Sequence, residues 1–293
     1  YAAMDWLYGH KAGIEAKLAA RHLDEGALVL YDGSSSYYTG STCSLAKFGK
    51  DSNTGFPQIN YGLLCNKDGC PVAVEILDGN IGDAKALGRH LEKLRGRFGL
   101  RRVILVGDRG SITDARINED IKPAQGTDWI TALRAPAIRE LAEQGLIQPS
   151  LFDERDLAEI TSPDYPGERL VVCRNPFLAV ERSRKREALL KATEKELDKI
   201  VTAAARARNR LKGKAEIGVR VGKVINHYKM AKHFKLTIAD DSFSYQRDNG
   251  AIEAEAALDG IYVIRTSVGA ETFNSEDIVA RYKDLALVER AFR

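Results

Sequence analysis

The chain has 293 residues, 44% of them hydrophobic and 29% charged, with a formal net charge of +3. That composition is ordinary for a soluble globular protein and excludes a low-complexity or disordered chain. No run of 18 apolar residues and no basic-then-apolar opening is present, which argues against a membrane span and a secretory signal and points to a cytoplasmic protein.

In chain order, residues 8–25 read as a helix with Leu7, Ile14, Leu18 and His22 near one face and Gly26 as its stop. The apolar run 27–31 reads as a strand stopping at Asp32, followed by a Gly/Ser turn. Residues 59–66 and 70–77 form a hairpin around Lys67-Asp68-Gly69, because Asp-Gly favours positive φ. Residues 83–98 suit a helix capped by Asp83, with Leu87, Leu91 and Leu94 on one face. The strand 102–107 again stops at an aspartate, Asp108, and a helix near 111–120 and a strand near 128–133 follow. This order predicts an α/β fold, a mixed sheet flanked by helices, with 27–31 and 102–106 as the central pair buried on both faces.

The remainder reads as a strand at 169–174, a long helix at 180–212, strands at 215–225, 233–239 and 261–266, and a last helix at 275–292 capped by Asn274 or Ser275. The expected organisation is a core first part (1–134), a basic α+β insertion (135–255) and a core end (256–293).

Four cysteines at 43, 65, 70 and 173 lack the paired spacing of a zinc site and suit reduced thiols. The glycine signatures of P-loop and dinucleotide enzymes are absent. The five histidines are scattered, and Ser34, Ser35 and Ser36 have no nearby histidine to activate them, so they read as a turn able to touch phosphate.

Charge is distributed unevenly. Residues 181–235 hold 17 Lys and Arg against 6 Asp and Glu, a local excess of +11, while the rest of the chain is net −8. Over 181–200 the acids are interleaved, as in a solvated helix with pairs such as Glu187–Lys191. Over 206–235 the only acid is Glu216, so Arg206, Arg208, Arg210, Lys212, Lys214, Lys229 and Lys232 are the candidate contacts to a polyanion.

Asp32 and Asp108 each end an apolar strand, and on adjacent parallel strands both would project from one edge of the sheet. Each alone also fits an ordinary turn-capping aspartate. Glu289 falls on a helical stripe with Ile278, Tyr282, Leu285 and Phe292. A glutamate facing the core needs an ion pair or a cation. Three carboxylates beside a basic surface suit a Mg²⁺-dependent phosphodiester chemistry, with two ions about 4 Å apart.

The stretches Tyr31-Asp32-Gly-Ser-Ser-Ser-Tyr37, Val106-Gly-Asp108-Arg-Gly110 and Tyr282-x6-Glu289-Arg-Ala-Phe-Arg293 resemble, in order, the three catalytic blocks of DDE insertion-sequence transposases. More narrowly, they resemble the bacterial group named after insertion sequence four. Residues 152–160, 166–175 and 259–264 resemble the same group, so the likeness covers 27–293. It implies an RNase H-like core with Asp32, Asp108 and Glu289 as catalytic and metal-holding residues and Mg²⁺, replaceable by Mn²⁺, as cofactor. It also implies double-stranded transposon ends and target DNA as partners, Tyr282 as a DNA contact, a nucleoid-associated bacterial protein, and a homodimer in the active complex. The implied reaction is cleavage at transposon ends, then attack of the freed 3′-OH on target DNA.

Two departures bear on that expectation. Leu285 stands where the family's glutamate block has an arginine, and the family's lysine position falls beyond Arg293. The tryptophans, Trp6 and Trp129, do not match the insertion tryptophan on which some relatives stack a flipped base. The start at Tyr1 and the end four residues after Glu289 read as a fragment expected to transpose poorly alone. The competing readings are another RNase H-like nuclease and a non-catalytic DNA-binding remnant of a transposase.

Overall fold

A computed structural model describes residues 1–49, 55–148, 151–152 and 156–293. The chain forms two compact units, Tyr1–Cys173 with Tyr262–Arg293, and Arg174–Ile261.

The first unit carries the sheet. Strand β1 (Ala27–Tyr37) pairs antiparallel with β2 (Gln58–Asn66), which pairs antiparallel with β3 (Pro71–Asp78). On its other side β1 pairs parallel with β4 (Val103–Gly107), and β4 pairs parallel with β5 (Thr127–Ala132). Strand β10 (Ile261–Thr266) runs antiparallel to β5, and β6 (Leu157–Ile160) antiparallel to β7 (Arg169–Arg174). The order across the sheet is β3-β2-β1-β4-β5-β10-β7-β6. This is the mixed α/β sheet flanked by helices that the sequence predicts. Strand β4 is buried at every residue, because helices cover both of its faces.

Alternation along β1 and β4 separates two cores. Val29, Tyr31, Val103 and Leu105 pack with Leu87, Leu91, Leu94, Ile117 and Ile121 on one face. Leu28, Leu30, Ile104 and Val106 pack with Leu63, Cys65, Ile278, Val279 and Val288 on the other. The first face is covered by α2 (Asp83–Glu92), which continues through a wider turn to Arg97, and by the wide turn Ile117–Ile121 that continues α3 (Asp114–Arg116). The second is covered by α8 (Ser275–Lys283) and α9 (Leu285–Ala291).

Several expectations shift. Helix α1 (Ala2–His22) starts earlier, and Gly26, at φ 80°, lies in the turn after it rather than ending it. Its buried positions are Glu15 and Ala19, while Leu7 is exposed. Glu15 docks because its carboxylate accepts from Val74 N at 3.1 Å and Lys93 Nζ at 3.1 and 3.2 Å. A buried carboxylate without such partners would be strongly destabilising. Gly82, not Asp83, occupies the cap of α2. Residues 33–37 are not a turn: β1 runs on through the Gly/Ser cluster, each residue paired with β2. The hairpin forms as expected, with Gly69 at φ 78°. Residues 153–155, within one of the family-like stretches, lie outside the described residues.

In the second unit, α5 (Pro176–Ala205) is capped by Asn175, whose side chain accepts from Phe177 N and Leu178 N. It packs with α6 (Lys214–Tyr228) and the hairpin β8 (Phe234–Ile238)–β9 (Phe243–Arg247), and α7 (Asn249–Ala256) follows. The strand expected at 215–225 is therefore helix α6. Its β-branched residues suggested extension, but Ile217, Val221 and Ile225 recur every four residues and are the ones buried. The residues expected as an insertion, 135–255, divide: α4 (Ala135–Glu143), β6 and most of β7 belong to the first unit, and the second begins at Arg174.

Candidate active site

The parallel pairing of β1 with β4 ends at Tyr31 and Gly107. Asp32, still within β1 and paired with Leu63 of β2, and Asp108, just past the end of β4, each come one residue later on neighbouring parallel strands whose spacing is about 4.8 Å. By alternation Asp32 follows Leu28 and Leu30, and Asp108 follows Ile104 and Val106, so both lie on the face covered by α8 and α9. Both are half-buried. Asp108 Oδ1 accepts from Gly110 N at 3.0 Å and Ser111 N at 2.7 Å, and Asp32 Oδ1 accepts from Gly33 N at 2.8 Å. Backbone donors thus fix one oxygen of each carboxylate and set the direction of the other.

Tyr282, from α8, reaches this edge. Burial pushes its phenol up, the charge of Asp108 adds to the rise, Arg109 opposes it, and Asp32 adds again. Arg109 is exposed, and among the described residues it makes no ion pair with Asp108. Leu285, at the family's arginine position, packs against the apolar core of this face.

Glu289 departs from its expected environment. It is exposed, and Val288 is fully buried in its place. The stripe Ile278-Tyr282-Leu285 continues as well to Val288 as to Glu289, and burying the valine side chain is favourable by about 1.5–3 kcal/mol where burying a lone carboxylate is costly. Helix α9 still crosses this edge: Phe292, just after it, packs against Tyr61 with the rings tilted and their centroids 5.6 Å apart, and Tyr61 is paired with Ser34 across the strands. Among the described residues, no three His, Cys, Asp or Glu side chains gather closely enough to hold a metal. Asp32 and Asp108 suit a hard divalent cation by donor chemistry and placement; Glu289 shares their face of the sheet without joining them.

Ser36 Oγ lies 2.8 Å from Tyr61 Oη, so the serine run presents hydroxyls along β1 beyond Asp32. Nothing in the amino-acid order singled out Arg134, whose Nε and Nη2 both donate to the Arg109 carbonyl at 3.3 Å. That contact depends on how β4 and β5 pair. The four cysteines are free, and burial pushes the thiols of Cys65 and Cys173 up to about 12 and about 11.

The basic candidates lie in the second unit and have different environments. Arg210 faces inward, its guanidinium donating to the carbonyls of Ala204 and Asp241. Leu211 N donates to Ala203 O at 3.0 Å and Gly213 N to Asp240 O at 2.6 Å, which closes the 206–213 loop. Arg206, Arg208, Lys212, Lys214 and Lys229 are exposed, and no carboxylate pairs with them among the described residues. Lys232 is paired with Glu255. On α5 the acids are neutralised across the unit: Arg247 Nη1 meets Glu187 at 3.0 Å and Nε meets Glu194 at 2.6 Å, a stronger arrangement than the expected Glu187–Lys191 pair at 3.6 Å. Among the described residues no helix is long and apolar enough to cross a membrane.

No curated protein matches the chain. Among solved structures, the cryo-EM structure of a piggyBac transposase synaptic complex with hairpin DNA is 12% identical with a TM-score of 0.36, over 52% of this chain and 31% of that one. Residues 25–293 match the family model described as a transposase DDE domain, so that this chain, with its two neighbouring aspartates, belongs to the DDE transposase family.

Proposed function

We propose that this protein is a DNA transposase whose reactive edge is formed by Asp32 and Asp108. It would cleave phosphodiester bonds at transposon ends and transfer the freed 3′-OH into target DNA. The observation carrying this reading is that the two aspartates come side by side, one residue past the last parallel pair of β1 and β4, on the face covered by α8 and α9.

Asp32 and Asp108 would hold Mg²⁺, with Mn²⁺ able to replace it, and Glu289, exposed on α9, would have to turn inward to complete the set. When bound, such ions activate the attacking oxygen and stabilise the leaving one in an in-line displacement. The chain's own residues orient that reaction. The amides of Gly110 and Ser111 fix the Asp108 rotamer, and Tyr282 buries its ring beside both aspartates, with its hydroxyl a candidate contact to DNA. Arg206, Arg208, Lys212, Lys214 and Lys229 would neutralise backbone phosphates, adding affinity without sequence preference. A homodimer would hold two transposon ends.

The exposure of Glu289 favours a second reading, a DNA-binding remnant that does not cut. One comparison separates them: Mn²⁺ calorimetry and nicking of end-containing duplex, with wild type beside Asp108→Asn. Metal binding and nicking that both fall in the variant support the transposase. DNA affinity with neither metal binding nor nicking in the wild type favours the remnant.

A further inference from the structure

We infer that Arg265, on the opposite face of the sheet from the aspartates, is a positioning residue for Asp108, acting through Asp114. The inference rests on the reading of Asp32 and Asp108 as the reactive edge.

The link from β4 to α3 runs from Asp108 to Asp114 and is held at three points. At its start, Asp108 accepts from its own loop: Oδ1 from Gly110 N and Ser111 N, and the carbonyl from Ser111 N at 3.2 Å and Ile112 N at 3.0 Å. Ile112 is buried, and a Cβ at Gly107 would come within 2.9 Å of its side chain, so the loop is pressed against the strand end. The carboxylate direction is therefore tied to the loop's shape. Just beyond, the forked Arg134 holds the Arg109 carbonyl.

The third point comes from behind the sheet. Ile264 packs in the core of the aspartates' face, so Arg265 points to the other face. It is 5% exposed, and Nε and Nη2 meet the two oxygens of Glu168, itself 6% exposed, at 2.6 Å each. The guanidinium lies 4.7 Å over the Tyr165 ring. This leaves Nη1, which donates to Asp114. The Asp114 side chain is otherwise 77% exposed. A buried ion pair is a poor source of stability compared with apolar side chains of the same size. What it supplies here is a rigid donor, anchored by Glu168 and Tyr165, aimed at the far end of the loop that begins with Asp108. From that face Arg265 cannot touch a substrate at the aspartate edge, so any effect must pass through the loop.

The test uses the full chain with Asp114→Ala, an exposed change compatible with folding, and Arg265→Lys, which cannot fork to Glu168 and Asp114 together. Hydrogen exchange is followed for a peptide covering 108–114 and for peptides of β2 and β5, and Mn²⁺ binding is measured by calorimetry. In both variants the 108–114 amides should exchange about tenfold faster with the strand peptides unchanged. Mn²⁺ affinity should fall about tenfold, the lower end of what losing an orienting partner of a ligand costs. On end-containing duplex, kcat should fall with KM unchanged. Unchanged exchange of 108–114 in Asp114→Ala overturns the clamp. Faster exchange with unchanged Mn²⁺ binding and kcat overturns the positioning role. A wild type that binds no Mn²⁺ defeats the metal reading instead, and the exchange result alone then decides the clamp.

Discussion

The aspartate edge and the basic loop are built in opposite ways. Asp32 and Asp108 are 76 residues apart in sequence and become neighbours only through the pairing of β1 with β4. The 206–213 loop is assembled locally: Leu211 and Arg210 anchor it to the end of α5 and to residues 240–241, while Arg206, Arg208 and Lys212 point outward. One region takes its geometry from register, the other from the alternation of anchored and free side chains along a few residues. Chemistry that needs placement to a fraction of an ångström belongs on the first, and charge attraction, which tolerates side-chain freedom, belongs on the second.

If that division holds, substitutions in the two regions affect different quantities. The largest expected effect is that of Asp108→Asn: nicking falls about 10²–10³-fold, the scale of losing one positioned electrostatic group, with duplex affinity unchanged in a binding titration. Replacing Arg206, Arg208, Lys212 and Lys214 together with alanine should do the reverse. Duplex binding weakens, and the slope of log K against log salt drops by roughly one for each lost phosphate contact. The rate at saturating DNA should not change; a fall in that rate would break the division.

Two smaller effects probe the scaffold of the edge. His90 is fully buried, its ring tilted against Tyr31, the residue before Asp32, with centroids 4.7 Å apart, and burial pushes its imidazole down to about 4. An unfolded imidazole titrates near 6.5, so the unfolded chain takes up the proton first as pH falls. The stability from keeping His90 neutral is present in full above pH 6.5 and is lost between 6.5 and 4, by up to about 3 kcal/mol. Urea midpoints of wild type should fall through that window, and those of His90→Leu should be flatter. The smallest effect is that of Gly69→Ala. Its φ of 78° disfavours a side chain, and a Cβ would meet Leu287 of α9 at 2.6 Å. The expected loss is about 1–2 kcal/mol, read by thermal unfolding. An unchanged Tm would show that α9 does not depend on its seat against the hairpin.

Much of this protein was legible in the amino-acid order. Two apolar runs ending in aspartate marked the central strands, because parallel strands buried on both faces do not alternate. Asp68-Gly69 marked the hairpin, and Asn274 or Ser275 marked the start of α8, where Asn274 forms the capping box with Asp277. The +11 excess singled out the segment that carries the exposed arginines and lysines. These features are local: a turn type, a cap, an unbroken apolar run or a charge density needs only its neighbours.

Tertiary structure decided the rest. The stripe on the last helix allowed either Val288 or Glu289 to face inward, and the apolar surface over β1 and β4 selected the valine. The strand-like composition of 214–228 gave way to a helix once Ile217, Val221 and Ile225 had a shared core to fill. Arg210 looked equivalent to Arg208 until carbonyls from residues 204 and 241 surrounded it. Arg265 meets Glu168, 97 residues away, and Asp114, 151 residues away. A sequence shows which side chains carry charge and how often apolar ones recur. Which face a helix buries and which partner a charge finds depend on groups brought together from distant segments, because the desolvation of one group is offset only by the particular neighbour the fold supplies.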